Sequence, residues 1–122
     1  MNSEIHDVVI IGGGPAGFTA GIYTSRDRKD TLLLEKAIVG GLPAATDLVE
    51  NYPGFPDGIK GIELMNKFRK QAEKFGVKFS EFDEVKNIKT TGKKIKVKTE
   101  RNEYFARAVI IATGSVPKKL GV

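Results

Sequence analysis

The sequence contains no cysteine. A disulfide, a thiolate metal site and a redox-active thiol are therefore excluded from these 122 residues. Histidine occurs once, as His6, and reads as an exposed residue just before the first strand rather than as a catalytic group. No apolar run approaches the roughly 20 residues needed to cross a bilayer, so no membrane association is expected. The polar start, Met1 to Asp7, lacks the apolar core of a signal peptide, as expected of a cytoplasmic protein. No side chain stands out as an acid, base or nucleophile. The chain is expected to bind rather than to catalyse, and to hold no metal.

What is present is the composition of a globular domain, 40% hydrophobic and 29% charged, long enough for one modest core. The net charge of +5 invites a nucleic-acid reading. Its lysines, however, concentrate at Lys86, Lys89, Lys93, Lys94, Lys96 and Lys98, partly alternating with Ile95 and Val97. That pattern gives a strand one polar and one apolar face. A solvated face follows, and no nucleic-acid motif accompanies it.

The informative stretch is Val8-Val9-Ile10-Ile11-Gly12-Gly13-Gly14-Pro15-Ala16-Gly17. Four β-branched residues predict a buried strand running directly into a glycine turn. Gly12, Gly14 and Gly17 fit G-x-G-x-x-G, and a helical pattern follows from Ala16 to about Ser25. The three glycines serve different physical ends. The first permits a tight turn, the second lets a pyrophosphate approach bare backbone, and the third allows close helix–strand packing. Pro15 suits a first helical turn, where its missing N–H would have had no partner. The free N–H groups and positive end of the helix would then face the diphosphate.

Thr31 to Glu35 predicts a second buried strand, completing a parallel β-α-β unit. Glu35 closes it near the spacing of about 20 residues expected for a ribose-binding acid. A carboxylate there accepts from ribose hydroxyls and repels a 2′-phosphate, so FAD or NAD is favoured over NADP. Lys36 beside it would soften that rejection.

Residues 37–60 are rich in Gly and Pro, with Gly40-Gly41-Leu42-Pro43 and Glu50-Asn51-Tyr52-Pro53-Gly54. A connection this long is usually functional, and it follows the carboxyl end of a strand, where open α/β sheets bind ligands. Gly61 to Phe75 predicts an amphipathic helix with Leu64, Met65, Phe68, Ala72 and Phe75 on one face, stopped by Gly76. Val77–Phe82 predicts a third strand. Val85–Thr90, Lys94–Thr99 and Glu103–Arg107 predict a small antiparallel meander. Ala108 to Ala112 predicts a further buried strand, delivering Thr113 and Gly114 to the edge that holds the first glycine loop.

With these residues placed, the chain resembles the N-terminal FAD-binding segment of the thioredoxin reductase family, within the pyridine nucleotide–disulfide oxidoreductases. The resemblance spans essentially the whole chain. It rests on Asp7 to Gly17, Glu35, Gly40-Gly41, Glu50 to Gly54 and Ala112-Thr113-Gly114. It implies an α/β, Rossmann-like FAD-binding domain with a parallel sheet and a small antiparallel β-meander, incomplete at the C-terminus. By the same resemblance Gly12, Gly14, Pro15 and Ala16 cradle the pyrophosphate, and Glu35, with Lys36 next to it, serves the adenosine ribose. Gly40 belongs to the glycine pair; Gly41, Leu42, Thr46 and Asn51 lie near the ribityl chain and flavin. Val85 meets the adenine through its backbone, and Ala112, Thr113 and Gly114 close over the adenosine half.

Leu42 departs from the family's usual glutamine, removing a polar contact near the flavin. The chain is also expected to stop where the family enters an inserted NADPH domain carrying a Cys-x-x-C disulfide, so residues 1–122 would be a first segment only. The implied whole enzyme is a homodimer moving electrons from NADPH through FAD to thioredoxin or a similar disulfide protein. Three other readings stay open on residues alone: a cysteine-independent flavin reductase of the same fold, such as a ferredoxin–NADP reductase; a small NAD-binding module; and a basic interaction domain.

Overall fold

The computed structural model describes residues 5–40 and 48–114. Its elements run β1 (Ile5–Ile11), α1 (Pro15–Arg26), β2 (Thr31–Leu34), α2 (Gly61–Lys74), β3 (Lys78–Ser80), β4 (Val85–Thr91), β5 (Lys94–Thr99) and β6 (Glu103–Ile111). The strands form one sheet in the order β3-β2-β1-β6-β5-β4. The first four in that order run parallel, with Val9 opposite Leu32 on one side and Val109 on the other. The β4–β5–β6 portion is antiparallel.

A parallel strand covered on both faces must be apolar at consecutive positions. Val8 to Ile11 and Leu32 to Leu34 meet that demand, and all are buried. Their side chains sort by alternation. Val8, Ile10 and Leu33 join Phe18 of α1 and Leu64, Met65 and Ala72 of α2 in one core. Val9, Leu32 and Leu34 join Val97 and Ala106 of the meander in a second. Phe18 is wholly buried and sets its edge against Phe68 and Phe79. Burial of one such side chain contributes about 1.5–3 kcal/mol.

Four expectations are corrected. The meander's last strand and the buried strand after it are one element, β6. Nothing between Arg107 and Ala108 breaks the extended chain, which pairs with β5 from Glu103 to Ala106 and with β1 from Phe105 to Ile111. His6 lies inside β1, opposite Ala106, with 13% of its side chain exposed and Nδ1 3.1 Å from Asp30 Oδ2. Pairing with β6 extends β1 below its apolar run. The third strand shrinks to Lys78–Ser80, because Phe82 turns to φ +53 and donates its N–H to the Ala37 carbonyl at 3.1 Å. Phe75 caps α2 beneath the Arg26 guanidinium rather than joining the core.

Candidate dinucleotide-binding site

The carboxyl ends of β1, β2 and β6 meet at one edge of the sheet, and the glycine loop lies among them. Gly12 turns the chain at φ +118, a conformation that L side chains rarely adopt, and its N–H donates to the Leu34 carbonyl at 2.8 Å. A Cβ on Gly12 would overlap the carbonyl of Ala112, and one on Gly17 would overlap the carbonyl of Gly12. These two glycines let β1, β6 and α1 close on one another.

Gly14 is different. Its φ is −96, which any residue adopts, and a Cβ there would meet no atom within 4 Å. It is also the N-cap of α1 and supplies no side-chain oxygen to the free N–H groups of the first turn. Bare backbone, open space and the positive end of a helix therefore coincide. Pro15 and Ala16 open the helix beside it, Ala16 exposed rather than packed on the sheet.

Glu35 fixes this loop from the side. Its Oε1 accepts from Gly13 N–H and its Oε2 from Ala37 N–H, both at 2.8 Å. Gly40 locks the other flank, donating to the Gly13 carbonyl at 2.6 Å. A carboxylate has about four acceptor positions, so each oxygen of Glu35 keeps capacity for a hydroxyl donor.

Gly12, Glu35, Lys36, Val85 and Thr113, scattered through the sequence, line one cavity of about 170 Å³. Whole small-molecule sites run to about 300–1,000 Å³, so this space suits one end of a dinucleotide. Ile11, Leu34, Asp83 and Glu84 complete the lining. Sequence reading missed those four, although Asp83 and Glu84 directly precede Val85 at the same edge. Lys86 hydrogen-bonds Glu84 at 3.0 Å and holds its carboxyl below the usual range, with a smaller contribution from the charge of Lys36. The cation beside Glu35 thus also faces a second carboxylate.

Ala112 shapes the loop through its backbone, its N–H donating to Ile11 at 2.8 Å, and Gly114 follows at φ +73. Asn51 lies apart from this cavity, in a hollow lined by its own loop from Glu50 to Pro56. Gly41, Leu42 and Thr46 fall outside the described residues. The open backbone at Gly14 and the acceptor at Glu35 fit the diphosphate and ribose of a dinucleotide. Among the described residues no group of three or more metal-ligating side chains occurs, and no helix is long and apolar enough to cross a membrane.

A sequence model of the pyridine nucleotide-disulphide oxidoreductase family matches residues 6–122. Thioredoxin reductase from Bacillus subtilis is 51% identical over 98% of this chain and 37% of its own length. The enzyme of the same name from Streptomyces coelicolor is 44% identical over 98% of the chain and 38% of its own. The chain thus spans a little over a third of these relatives. The crystal structure of Lactococcus lactis thioredoxin reductase superposes with a TM-score of 0.90 at 43% identity, covering 96% of this chain and 38% of that one. Sequence, glycine loop and sheet order agree: the chain belongs to the pyridine nucleotide-disulphide oxidoreductase family, with the Rossmann-like fold of the N-terminal FAD-binding segment of thioredoxin reductases.

Proposed function

We propose that residues 1–122 are the first segment of an FAD-binding domain in a thioredoxin-reductase-like flavoenzyme. One observation carries this reading: Gly12, Glu35, Lys36, Val85 and Thr113 line a single cavity next to the open backbone of Gly14. In this reading the backbone of Gly12 and Gly14 and the start of α1, with Pro15 and Ala16, hold the diphosphate. Glu35 orients the adenosine ribose while its grip on Gly13 keeps the loop in shape. Val85 offers backbone to the adenine, and Ala112, Thr113 and Gly114 close that end. Gly40, Gly41, Leu42, Thr46 and Asn51 serve the flavin end. Bound FAD supplies the redox chemistry that, in the complete protein, would link NADPH to the disulfide of thioredoxin or a similar protein. The complete protein would act as a cytoplasmic homodimer.

The test is the purified complete protein. Visible flavin absorbance together with NADPH-dependent reduction of thioredoxin is the expected result. Flavin absorbance with reduction of ferredoxin but not of thioredoxin would move the protein to the cysteine-independent reductases. Absence of flavin with NAD bound instead would refute the FAD assignment.

A further inference from the structure

We propose that Asp83 is a positioning residue that holds the wall of the adenosine cavity; the inference rests on the dinucleotide reading above. Asp83 is wholly buried, yet it lies in the connection between β3 and β4, where a polar residue would ordinarily face water. The connection is shaped to put it there. Phe82 takes the left-handed conformation at φ +53, uncommon for a bulky residue, so that its ring faces outward, 63% exposed, and the next side chain turns in.

Once inside, Asp83 ties together elements distant in sequence. Its N–H donates to the Glu35 carbonyl at the end of β2, at 3.0 Å. Its Oδ2 accepts from the Ser80 hydroxyl of β3 at 2.9 Å and from the Tyr104 hydroxyl of β6 at 2.6 Å. Arg101 Nε stands 3.9 Å from Oδ1, which has no hydrogen-bond partner among the described residues; the neighbouring Thr99 hydroxyl reaches the Asn102 carbonyl at 3.2 Å. The next residue is tied as well, Glu84 accepting from Glu100 N–H at 3.3 Å. The cavity residues Glu84 and Val85 follow Asp83 directly, and Glu35 is its backbone partner. The carboxylate thus fixes, against β3 and β6, the connection whose backbone holds Glu35 and leads directly into Glu84 and Val85.

Burying a carboxylate is costly unless it is paired and hydrogen-bonded. An apolar residue of similar size would fill the space more cheaply. It would not draw β3 and β6 to one point. Burial pushes the Asp83 carboxyl up, but the nearby polar Thr99 side chain, the hydrogen bonds from the Tyr104 and Ser80 hydroxyls and the charge of Arg101 outweigh it and hold it below the usual range.

The experiment titrates the purified complete protein, stripped of cofactor, with ADP and with FAD, for the wild type, Asp83→Asn and Tyr104→Phe. Tyr104→Phe removes one donor and keeps the carboxylate, so it reports even if Asp83→Asn folds poorly. The expected result is an approximately tenfold weaker ADP affinity for Asp83→Asn and a smaller loss for Tyr104→Phe, the scale of one hydrogen bond to a charged group. FAD should weaken by the same factor, with the absorbance spectrum of the bound flavin unchanged. A purely structural anchor would lower the melting temperature and leave affinity for ADP at the wild-type value, which would overturn the proposal. So would a larger loss for FAD than for ADP, or an altered flavin spectrum. Failure of wild-type protein to bind either ligand would refute the dinucleotide reading itself, a distinct outcome.

Discussion

Glu35 carries two demands on a single carboxylate. It holds Gly13 and Ala37 through their N–H groups, and in the function proposed above it also accepts from the ribose. Glu35→Ala should therefore weaken FAD binding by about 1–3 kcal/mol through the lost charge-assisted bond, and should also lower stability because two backbone donors lose their partner. Glu35→Gln, which keeps one acceptor oxygen, should recover part of both; calorimetric titration beside thermal melts separates the two losses. Gly14→Val makes a complementary test. With φ at −96 the backbone is not strained by a side chain, so only the open space is filled. The expected outcome is a folded protein without flavin, and full flavin occupancy in this variant would show that no phosphate approaches there. Acid should act through Asp83. Its carboxyl is held below the ordinary value of about 4, so the unfolded chain takes up the proton first. Stability from this group is complete above about pH 4 and is lost as pH falls through the lower folded value. Denaturant melts of wild type and Asp83→Asn should differ most near neutrality and converge towards acid pH, and a gap independent of pH would contradict the assignment.

Helix α1 and its glycines belong to the scale of elements. Gly17 and Gly21 both face the sheet, but they meet different neighbours. A methyl on Gly17 runs into the backbone of Gly12, which cannot yield without moving the loop. A methyl on Gly21 comes 3.1 Å from a Val77 methyl, which a small shift relieves. Gly17→Ala should cost both stability and cofactor affinity, whereas Gly21→Ala should leave affinity intact. Urea melts and FAD titration of the two variants check this, and equal losses of affinity would refute the distinction. The same contrast between near and distant neighbours separates what was legible in the sequence from what was not. Val8 to Ile11, the glycine spacing and Glu35 have local signatures: an apolar run, a tight turn and an acid at a set distance. The face of α2 was legible from its period in the same way for Leu64, Met65, Phe68 and Ala72, though not for Phe75 at its end. The burial of Asp83, the inward place of His6 and the unity of β6 have none. Each depends on a partner far away in sequence, Tyr104, Asp30 and β1 respectively. A polar residue in a connection carries no mark of the strand ends that will converge on it.

On the scale of the whole molecule, the sheet is unevenly covered. β6 is paired to β5 only as far as Ala106, and from Arg107 to Ile111 its outer edge has no strand beside it among the described residues. Ile111 at the end of that edge is 68% exposed. An unpaired strand edge with an exposed apolar side chain is a template for further pairing. The 122 residues expressed alone should therefore self-associate, and Ile111→Lys should reduce that association without disturbing the glycine loop. They should also retain FAD weakly and should not oxidise NADPH at the expense of a disulfide, because no cysteine is present to receive electrons. Sedimentation of both variants, run beside a flavin-supplemented NADPH oxidation assay, tests the two statements together. Concentration-dependent association of the wild type, relieved by Ile111→Lys, is the expected outcome. Association that ignores the substitution would place the sticky surface elsewhere, on the exposed Ile62 or Ile38 for example. Sustained disulfide reduction by a monomer would mean that residues 1–122 hold an active site independent of cysteine, and the flavoenzyme-segment reading would have to be abandoned.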